Sequence, residues 1–300
     1  MTRPTVRRAI FPVAGLATRF LPVTKAQSKY VLPLLDKPTI QYAVEEAIAS
    51  GLEQVVMITG GGHSAIGEHF DRSRELEFYL EDRGKKDLLK VLADVDRLSE
   101  QIDLTYMQQK EPLGLGHAVW TARRLVEGSP CAVLLPDDVI LGGEPCLSQL
   151  IRAHEETGAT VLAVRRVAPD QISRYGIIAT HTSHGRLHEV TDMVEKPRLE
   201  DAPSDLAIFG RYVLMPEVFE ALAETGPGAG KEIQLTDAIR QTLRGGRVFA
   251  CEFEGDYYDT GTVPGYLRAN LALALKRPDL REAMLGVVRD LIDASEITSK

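Results

Sequence analysis

The sequence predicts an α/β fold built on a mostly parallel sheet covered on both faces. Three observations carry this. Short apolar runs recur at Ala9–Val13, Gln54–Thr59, Asp103–Gln108, Ala132–Leu135 and Thr160–Arg165. Stretches with helical apolar spacing separate them, at Ile40–Ser50, 64–98, Gly116–Glu127 and Cys146–Thr157. The first run empties into a glycine-containing turn ending in Thr18-Arg19, with Lys25 and Lys29 close behind. Strands that are apolar throughout and alternate with helices belong to parallel sheets with helices on each face.

The bulk numbers fit that class. A hydrophobic content of 44% and a charged content of 26% are ordinary for a globular chain of 300 residues, long enough for a substantial core. A net charge of -8 argues against non-specific nucleic-acid binding, although it leaves room for a small basic pocket. No apolar stretch reaches the roughly 18–20 residues that span a bilayer, so no membrane association is expected. The start, Met1-Thr2-Arg3-Pro4, has no long apolar segment behind it and does not read as a signal peptide. Cys131, Cys146 and Cys251 have no C-x-x-C spacing, and their odd number suits a reducing cytoplasm, with Cys131 in a core strand.

Along the chain, the first strand and its turn, Phe11-Pro12-Val13-Ala14-Gly15-Leu16-Ala17-Thr18-Arg19, read as a polyphosphate grip. Small residues at a strand end let backbone N–H groups approach an anion, and Arg19 and Lys29 add charge there. It is neither a P-loop nor a G-x-G-x-x-G turn, and Gly60-Gly61-Gly62 after the second strand supplies no dinucleotide fingerprint either. Gly51 and Gly158 stand where helices end. The charged stretch Leu76–Ser99 carries Leu88, Leu89, Leu92 and Val95 at helical spacing and reads as an amphipathic helical insertion, a solvated surface helix or, more pointedly, a mobile flap.

The loop Gln108-Gln109-Lys110-Glu111-Pro112-Leu113-Gly114-Leu115-Gly116-His117-Ala118 follows the third strand. An amide that both donates and accepts suits a pyrimidine edge, but the bare pattern is only a glycine-bearing βα loop. Leu134-Leu135-Pro136-Asp137-Asp138 puts two carboxylates just past a buried strand, where open α/β sheets bind ligands. Such an acid can hold Mg²⁺ together with phosphate oxygens, or it can simply be a turn.

From about Gln171 the texture changes. Gly176–Thr180, Leu187–Met193 and Ala207–Leu214 read as strands, with Ser183-His184-Gly185 as a turn. Helices are expected at Pro216–Glu224, Thr236–Leu243 and Val263–Leu275, and a last one at Leu280–Ile292 has an apolar face suited to a subunit contact. Val194-Glu195-Lys196-Pro197 ends a strand. Neighbours on a strand point to opposite faces, so Glu195 and Lys196 share a ligand only if Pro197 or a bulge bends the chain. Tyr257-Tyr258-Asp259-Thr260-Gly261-Thr262 offers either a helix cap or a second ligand to the same ion. His181, His184 and His188 straddle a hairpin turn without a completing ligand set, and no G-x-S-x-G elbow is present.

In this order the pieces resemble the sugar nucleotidyltransferase family and, within it, the bacterial UTP–glucose-1-phosphate uridylyltransferases (UDP-glucose pyrophosphorylases). The resemblance runs from about Arg8 to Leu275. It rests further on Asp36-Lys37-Pro38, Gly210-Arg211-Tyr212-Val213-Leu214 and Glu232-Ile233-Gln234-Leu235-Thr236-Asp237-Ala238-Ile239. It implies a three-layer α/β/α, Rossmann-like nucleotidyltransferase fold with added β-strands. It also implies a reaction in which UTP and glucose 1-phosphate give UDP-glucose and pyrophosphate with Mg²⁺. By the same resemblance, Arg19 and Lys29 hold the nucleotide phosphates. Ala14 and Gly15 contact the base by their backbone, and Gln109 and Gly114 close its edge. Asp137 and Asp259 match Mg²⁺ ligands, and Gly176, Glu195 and Lys196 match sugar-phosphate contacts. Members are usually dimers or tetramers, so a homodimer or homotetramer is expected.

The organisation expected is a single domain over 1–300. It has a nucleotide-binding half over 1–165, a sugar-binding half over 166–275 and a C-terminal helix over 276–300. Two departures stand out. The second glycine of the family's G-x-G-T-R loop is Ala17, which fits if its φ stays negative. The usual Pro-Lys-Glu-Met-Leu-Pro reads Ser28-Lys29-Tyr30-Val31-Leu32-Pro33, which removes the acid beside Lys29 and bears on nucleotide choice. The same chemistry with dTTP or another sugar 1-phosphate, and a non-catalytic regulatory paralogue, are the alternatives. The presence of Arg19, Lys29, Asp137 and Asp259 together favours an active enzyme.

Overall fold

The computed structural model describes residues 5–61, 64–126 and 128–298. Met1–Pro4, Gly62 and Glu127, on which the signal-peptide reading, the triple glycine and the end of one expected helix fall, lie outside the described residues. The first half alternates as expected: β1 (Arg8–Val13), a small ribbon of β2 (Pro33–Leu34) and β3 (Lys37–Pro38), α1 (Thr39–Ala49) and β4 (Gln54–Thr59). Then come α2 (Ser64–Phe70), α3 (Arg74–Asp82), α4 (Lys86–Gln101), β5 (Asp103–Gln108), α5 (Leu115–Thr121), α6 (Arg123–Val126) and β6 (Cys131–Leu134). The stretch 64–98 is helical as expected and is divided among three helices. Gly84 at φ 63 turns the chain between the last two, a conformation a helix interior does not accept.

The chain continues through β7 (Asp138–Leu141), α7 (Cys146–Thr157), β8 (Thr160–Arg166), β9 (Gly176–His184), β10 (Leu187–Glu195) and β11 (Leu206–Leu214). It ends with α8 (Glu217–Glu224), α9 (Leu235–Thr242), β12 (Val248–Glu252), β13 (Asp256–Asp259), α10 (Val263–Lys276) and α11 (Pro278–Thr298). β9 reaches His184, so Ser183 and His184 are strand residues and the turn begins at Gly185.

One nine-stranded sheet runs in the order β5-β4-β1-β6-β11-β8-β12-β10-β9. It is mixed. β5, β4, β1 and β6 are parallel, and so are β8 and β12. β11 enters antiparallel between β6 and β8, and the β9–β10 hairpin adds an antiparallel edge.

Alternation along each strand feeds two cores. Phe11 and Met57 face a core with Ile40 and Val44 of α1 and Leu147 and Leu150 of α7. Ile10, Val56 and Ile58 face the opposite core with Val119 of α5, Leu222 of α8 and Ile239 of α9. This is the three-layer arrangement. A third, small cluster of Leu34, Val139, Tyr258 and Ala269 seats α10 over an antiparallel ribbon of β7 and β13. That ribbon brings Asp138 opposite Asp259. Among the described residues, no helix is long and apolar enough to cross a membrane.

Candidate active site

The two acids singled out in the sequence come together although they are far apart in the chain. Asp137 sits in the turn between β6 and β7, where Leu135 N–H donates to Gly210 O (2.7 Å) and Asp138 N–H to Leu135 O (3.1 Å). The β7–β13 ribbon pairs Asp138 with Asp259. Just past it, both the N–H and the hydroxyl of Thr260 donate to the Asp137 carbonyl, each at 2.8 Å. A Cβ at Gly261 would lie 2.6 Å from Asp137 Oδ2 and 3.2 Å from Asp259 Oδ1. Both oxygens therefore border one small space that only a glycine leaves open. Two carboxylate oxygens with no thiol or imidazole among them suit a small hard cation such as Mg²⁺. Among the described residues, no group of three or more His, Cys, Asp or Glu forms such a site, so further ligands would be phosphate and water.

Each acid has a basic partner. Lys29 Nζ lies 2.5 Å from Asp137 Oδ2 and is largely enclosed. Burial opposes its charge, but Tyr30 and the Asp137 carboxylate beside it outweigh that, and the Lys29 pKa moves up. Tyr30 is buried, donates its hydroxyl to Pro12 O (3.2 Å), and supports the Lys29 ammonium 4.9 Å from its ring centre. Tyr30 is thus a packing anchor against β1. Arg174 Nη2 donates to Asp259 Oδ2 at 2.9 Å.

Asp138 points into the protein, accepting from the Tyr257 hydroxyl (2.6 Å) and Gly210 N–H (3.0 Å). Burial and the adjacent Asp137 charge push its carboxyl up to about 7, against Tyr257 and Arg211.

Asp137 also borders a cavity of about 530 Å³ shared with Ala14, Gly15, Ala17, Tyr30, Gln109 and Gly114. Gln109 is buried, and its Nε2 donates to Gly114 O (3.2 Å) and lies 2.9 Å from His117 Nδ1. Gly114 has φ 105, and a Cβ there would come within 2.6 Å of Glu232 Cβ, so no other residue fits. Ala17 overturns the expected negative φ: it is left-handed, at φ 49 and ψ 42. The short 3-10 turn that follows forces this, since Ala17 O accepts from Phe20 N–H (3.0 Å) and from the Thr24 hydroxyl (2.9 Å). For an alanine the conformation costs roughly 1–2 kcal/mol. Arg19 is exposed on that turn, one residue beyond Thr18, which lines the cavity; it has no ion-pair partner among the described residues. Lys25 is exposed as well.

The third group lies on the β9–β10 hairpin. Gly176 and Glu195 stand opposite each other in register. Glu195 Oε2 accepts from the Thr236 hydroxyl at 2.6 Å. The chain bends at Lys196 itself, which is left-handed at φ 48, with its N–H donating to Tyr175 O (3.0 Å). The bend brings Lys196 Nζ to 3.4 Å from Glu195 Oε1, so acid and base share one side after all.

Sequence reasoning missed Arg174, Thr236 and Arg211. Arg174 stands two residues before the Gly176 already singled out, which was the available signal. Thr236 and Arg211 lie inside segments used only to recognise the family.

Comparison with known proteins matches residues 9–276 to the family described as nucleotidyl transferase. A Bacillus subtilis protein named UTP–glucose-1-phosphate uridylyltransferase YngB is 47% identical over 290 residues, covering 97% of this chain and 97% of the relative. A Staphylococcus saprophyticus protein named UTP–glucose-1-phosphate uridylyltransferase 2 is 47% identical over 286 residues, covering 95% and 98%. Among solved structures, a UDP-glucose pyrophosphorylase complexed with UDP-glucose is 39% identical, with a TM-score of 0.83 over 91% of this chain and 100% of that one. A UTP-bound UGPase from Acinetobacter baumannii is 36% identical, with a TM-score of 0.87 over 96% and 100%. The match across nearly the whole length, with the fold to go with it, means that the chain belongs to the nucleotidyl transferase family.

Proposed function

We propose that this chain transfers the uridylyl group of UTP to glucose 1-phosphate, giving UDP-glucose and pyrophosphate. The carrying observation is the convergence of Asp137 and Asp259 on one small space, with Asp137 also bordering the cavity of about 530 Å³, in a chain 47% identical to proteins named for this reaction.

A phosphate oxygen of glucose 1-phosphate attacks the α-phosphorus of UTP in line. The bond to the bridging oxygen breaks, and its electron pair leaves with pyrophosphate. The attacker is already an anion, so no general base is needed and no proton moves. The obstacle is repulsion: two unit charges at 4 Å repel by about 1 kcal/mol in water and about 4 kcal/mol at an effective dielectric of 20. Lys29 and Arg19 take the charge of the leaving pyrophosphate, and Lys196 holds the attacking phosphate. Glu195 accepts from the sugar hydroxyls next to Gly176, while Ala14, Gly15, Gln109 and Gly114 enclose the base. Asp137 and Asp259 would hold Mg²⁺, which supplies charge stabilisation on the phosphate oxygens. Catalysis is then positioning plus electrostatics.

Residues 1–165 form the nucleotide half and 166–275 the sugar half of one working unit. Exposed Val287, Leu291 and Ile292 on α11 support self-association as a homodimer or homotetramer. Three free, buried cysteines fit the reducing cytoplasm.

Pyrophosphate release measured across a matrix of nucleotides and sugar 1-phosphates tests the reading. UTP with glucose 1-phosphate should give the highest kcat/KM, and preference for dTTP or for another sugar would overturn it. Arg19→Ala should lower kcat by about 10²-fold, as for loss of one oxyanion donor, with an unchanged melting temperature because the side chain is exposed. Near-full turnover would remove Arg19 from the machinery.

A further inference from the structure

Asp259 is held by more than its own turn. Its Oδ1 accepts from Gly261 N–H at 2.9 Å and borders the space shared with Asp137. Its Oδ2 faces the other way and accepts from the Thr262 hydroxyl at 3.2 Å and from Arg174 at 2.9 Å. The two oxygens thus have separate jobs, and Arg174 takes the one that does not face Asp137.

Arg174 is itself fixed. Its Nη1 donates to Gln171 Oε1 at 2.6 Å, and its guanidinium carbon lies 5.8 Å from the Tyr175 ring centre. Behind the pair is a second cavity of about 490 Å³, lined among others by Arg174, Tyr257, Arg268 and Asp259, whose only carboxylate is Asp259. The pair is half exposed, at 44% and 22% for the two side chains. Such a pair contributes little to folding, so its 85-residue span is poorly explained by stability.

We propose that Arg174 is a positioning residue for the divalent cation: by holding Asp259 Oδ2 it fixes the carboxylate so that Oδ1 faces Asp137. The inference rests on the reading of Asp137 and Asp259 as cation ligands. A carboxylate on a short strand end has a broad, soft terminal torsion. Without Arg174 the carboxylate keeps the Gly261 N–H on Oδ1, but Oδ2 is then held only by the Thr262 hydroxyl at 3.2 Å, a looser restraint than a charge-assisted bond from a planar fork. Partners that orient a ligand from behind typically change metal affinity by 10–100-fold when removed.

A competing role would have the opposite sign. If Arg174 merely neutralised Asp259, removing it would concentrate negative charge at the site, and a cation would bind more tightly.

Mn²⁺ affinity of the substrate-free protein, followed by electron paramagnetic resonance, separates the two without any reaction. Arg174→Gln should weaken Mn²⁺ binding by about tenfold. Arg174→Lys, which keeps one donor and the charge, should recover part of the loss. The melting temperature should stay within a degree or two. Asp259→Asn should abolish the binding. Unchanged or tighter binding by Arg174→Gln overturns the proposal. So does unaltered binding by Asp259→Asn, which would also remove the cation site. Weakened binding in a protein that forms no UDP-glucose would uphold the role of Arg174 and defeat the uridylyl-transfer reading instead.

Discussion

Asp137→Asn is expected to lower kcat for uridylyl transfer by 10²–10³-fold, about 2.7–4 kcal/mol of transition-state stabilisation. Asparagine keeps the shape of the side chain and can still accept a hydrogen bond, so the turn between β6 and β7 should survive. That turn is held by backbone bonds and by Thr260, which donates twice to the Asp137 carbonyl rather than to its carboxylate. What is lost is the charge on the oxygen that borders the space at Gly261 and also pairs with Lys29. Lys29 has a side chain only 14% exposed, so its ammonium would be left enclosed without a counter-charge. Breaking one partner of a well-buried pair can cost several kcal/mol; with Asp137 itself 24% exposed, the loss here should be about 1–2 kcal/mol. Steady-state pyrophosphate release, together with denaturant unfolding of the same variant, separates the two effects. Adding Lys29→Met should restore stability without restoring turnover. A single variant with near-normal kcat would remove Asp137 from the reaction.

The residues that make this site were unequally legible. Asp137 could be picked out because acids just beyond buried strands are where open sheets bind ligands, and Asp259 because it stands in a glycine turn ahead of a helix, where an acid is either a cap or a ligand. β4 could be bounded to the residue because a strand buried between two helix layers is an apolar run that begins and ends sharply. The ribbon that joins the two acids was not visible. β13 is Asp256-Tyr257-Tyr258-Asp259, too short and too polar to register, and it is a strand only because β7 lies beside it. Nor does sequence show that a non-glycine residue will be left-handed. At Lys196 that conformation brings base and acid together, and at Ala17 the following 3-10 turn imposes it. Negative φ was the sound expectation for alanine, and tertiary context overrode it. The placement of β11 between β6 and β8 was equally hidden, since nothing in a nine-residue buried strand says which neighbours it will take.

β11 also carries the second large effect. Arg211→Met should destabilise the protein by about 3–5 kcal/mol. Arg211 is 1% exposed and Glu46, on α1, is 7% exposed at its side chain. The guanidinium meets both Glu46 oxygens, at 2.7 to 3.2 Å, and donates Nη1 to Leu135 O at 2.9 Å. Glu46 Oε1 also accepts from Leu147 N–H at 3.0 Å, at the start of α7. One ion pair therefore ties α1, α7, β11 and the end of β6. Removing the arginine alone leaves a buried carboxylate with a single backbone donor. Adding Glu46→Gln removes that charge while keeping an acceptor for Leu147, so the double variant should recover more than half of the loss. The recovery should stop short, because Leu135 O keeps the Asp138 N–H but loses its second, charged donor, a bond worth about 1.5–3 kcal/mol. That carbonyl precedes Pro136-Asp137, so the recovered stability should not bring back turnover in proportion. Guanidinium unfolding and kcat measured on the single and double variants test both parts. A double variant as unstable as Arg211→Met would mean that the uncompensated charge on Glu46 is not the cause, and that the arginine acts through the Leu135 carbonyl and its packing.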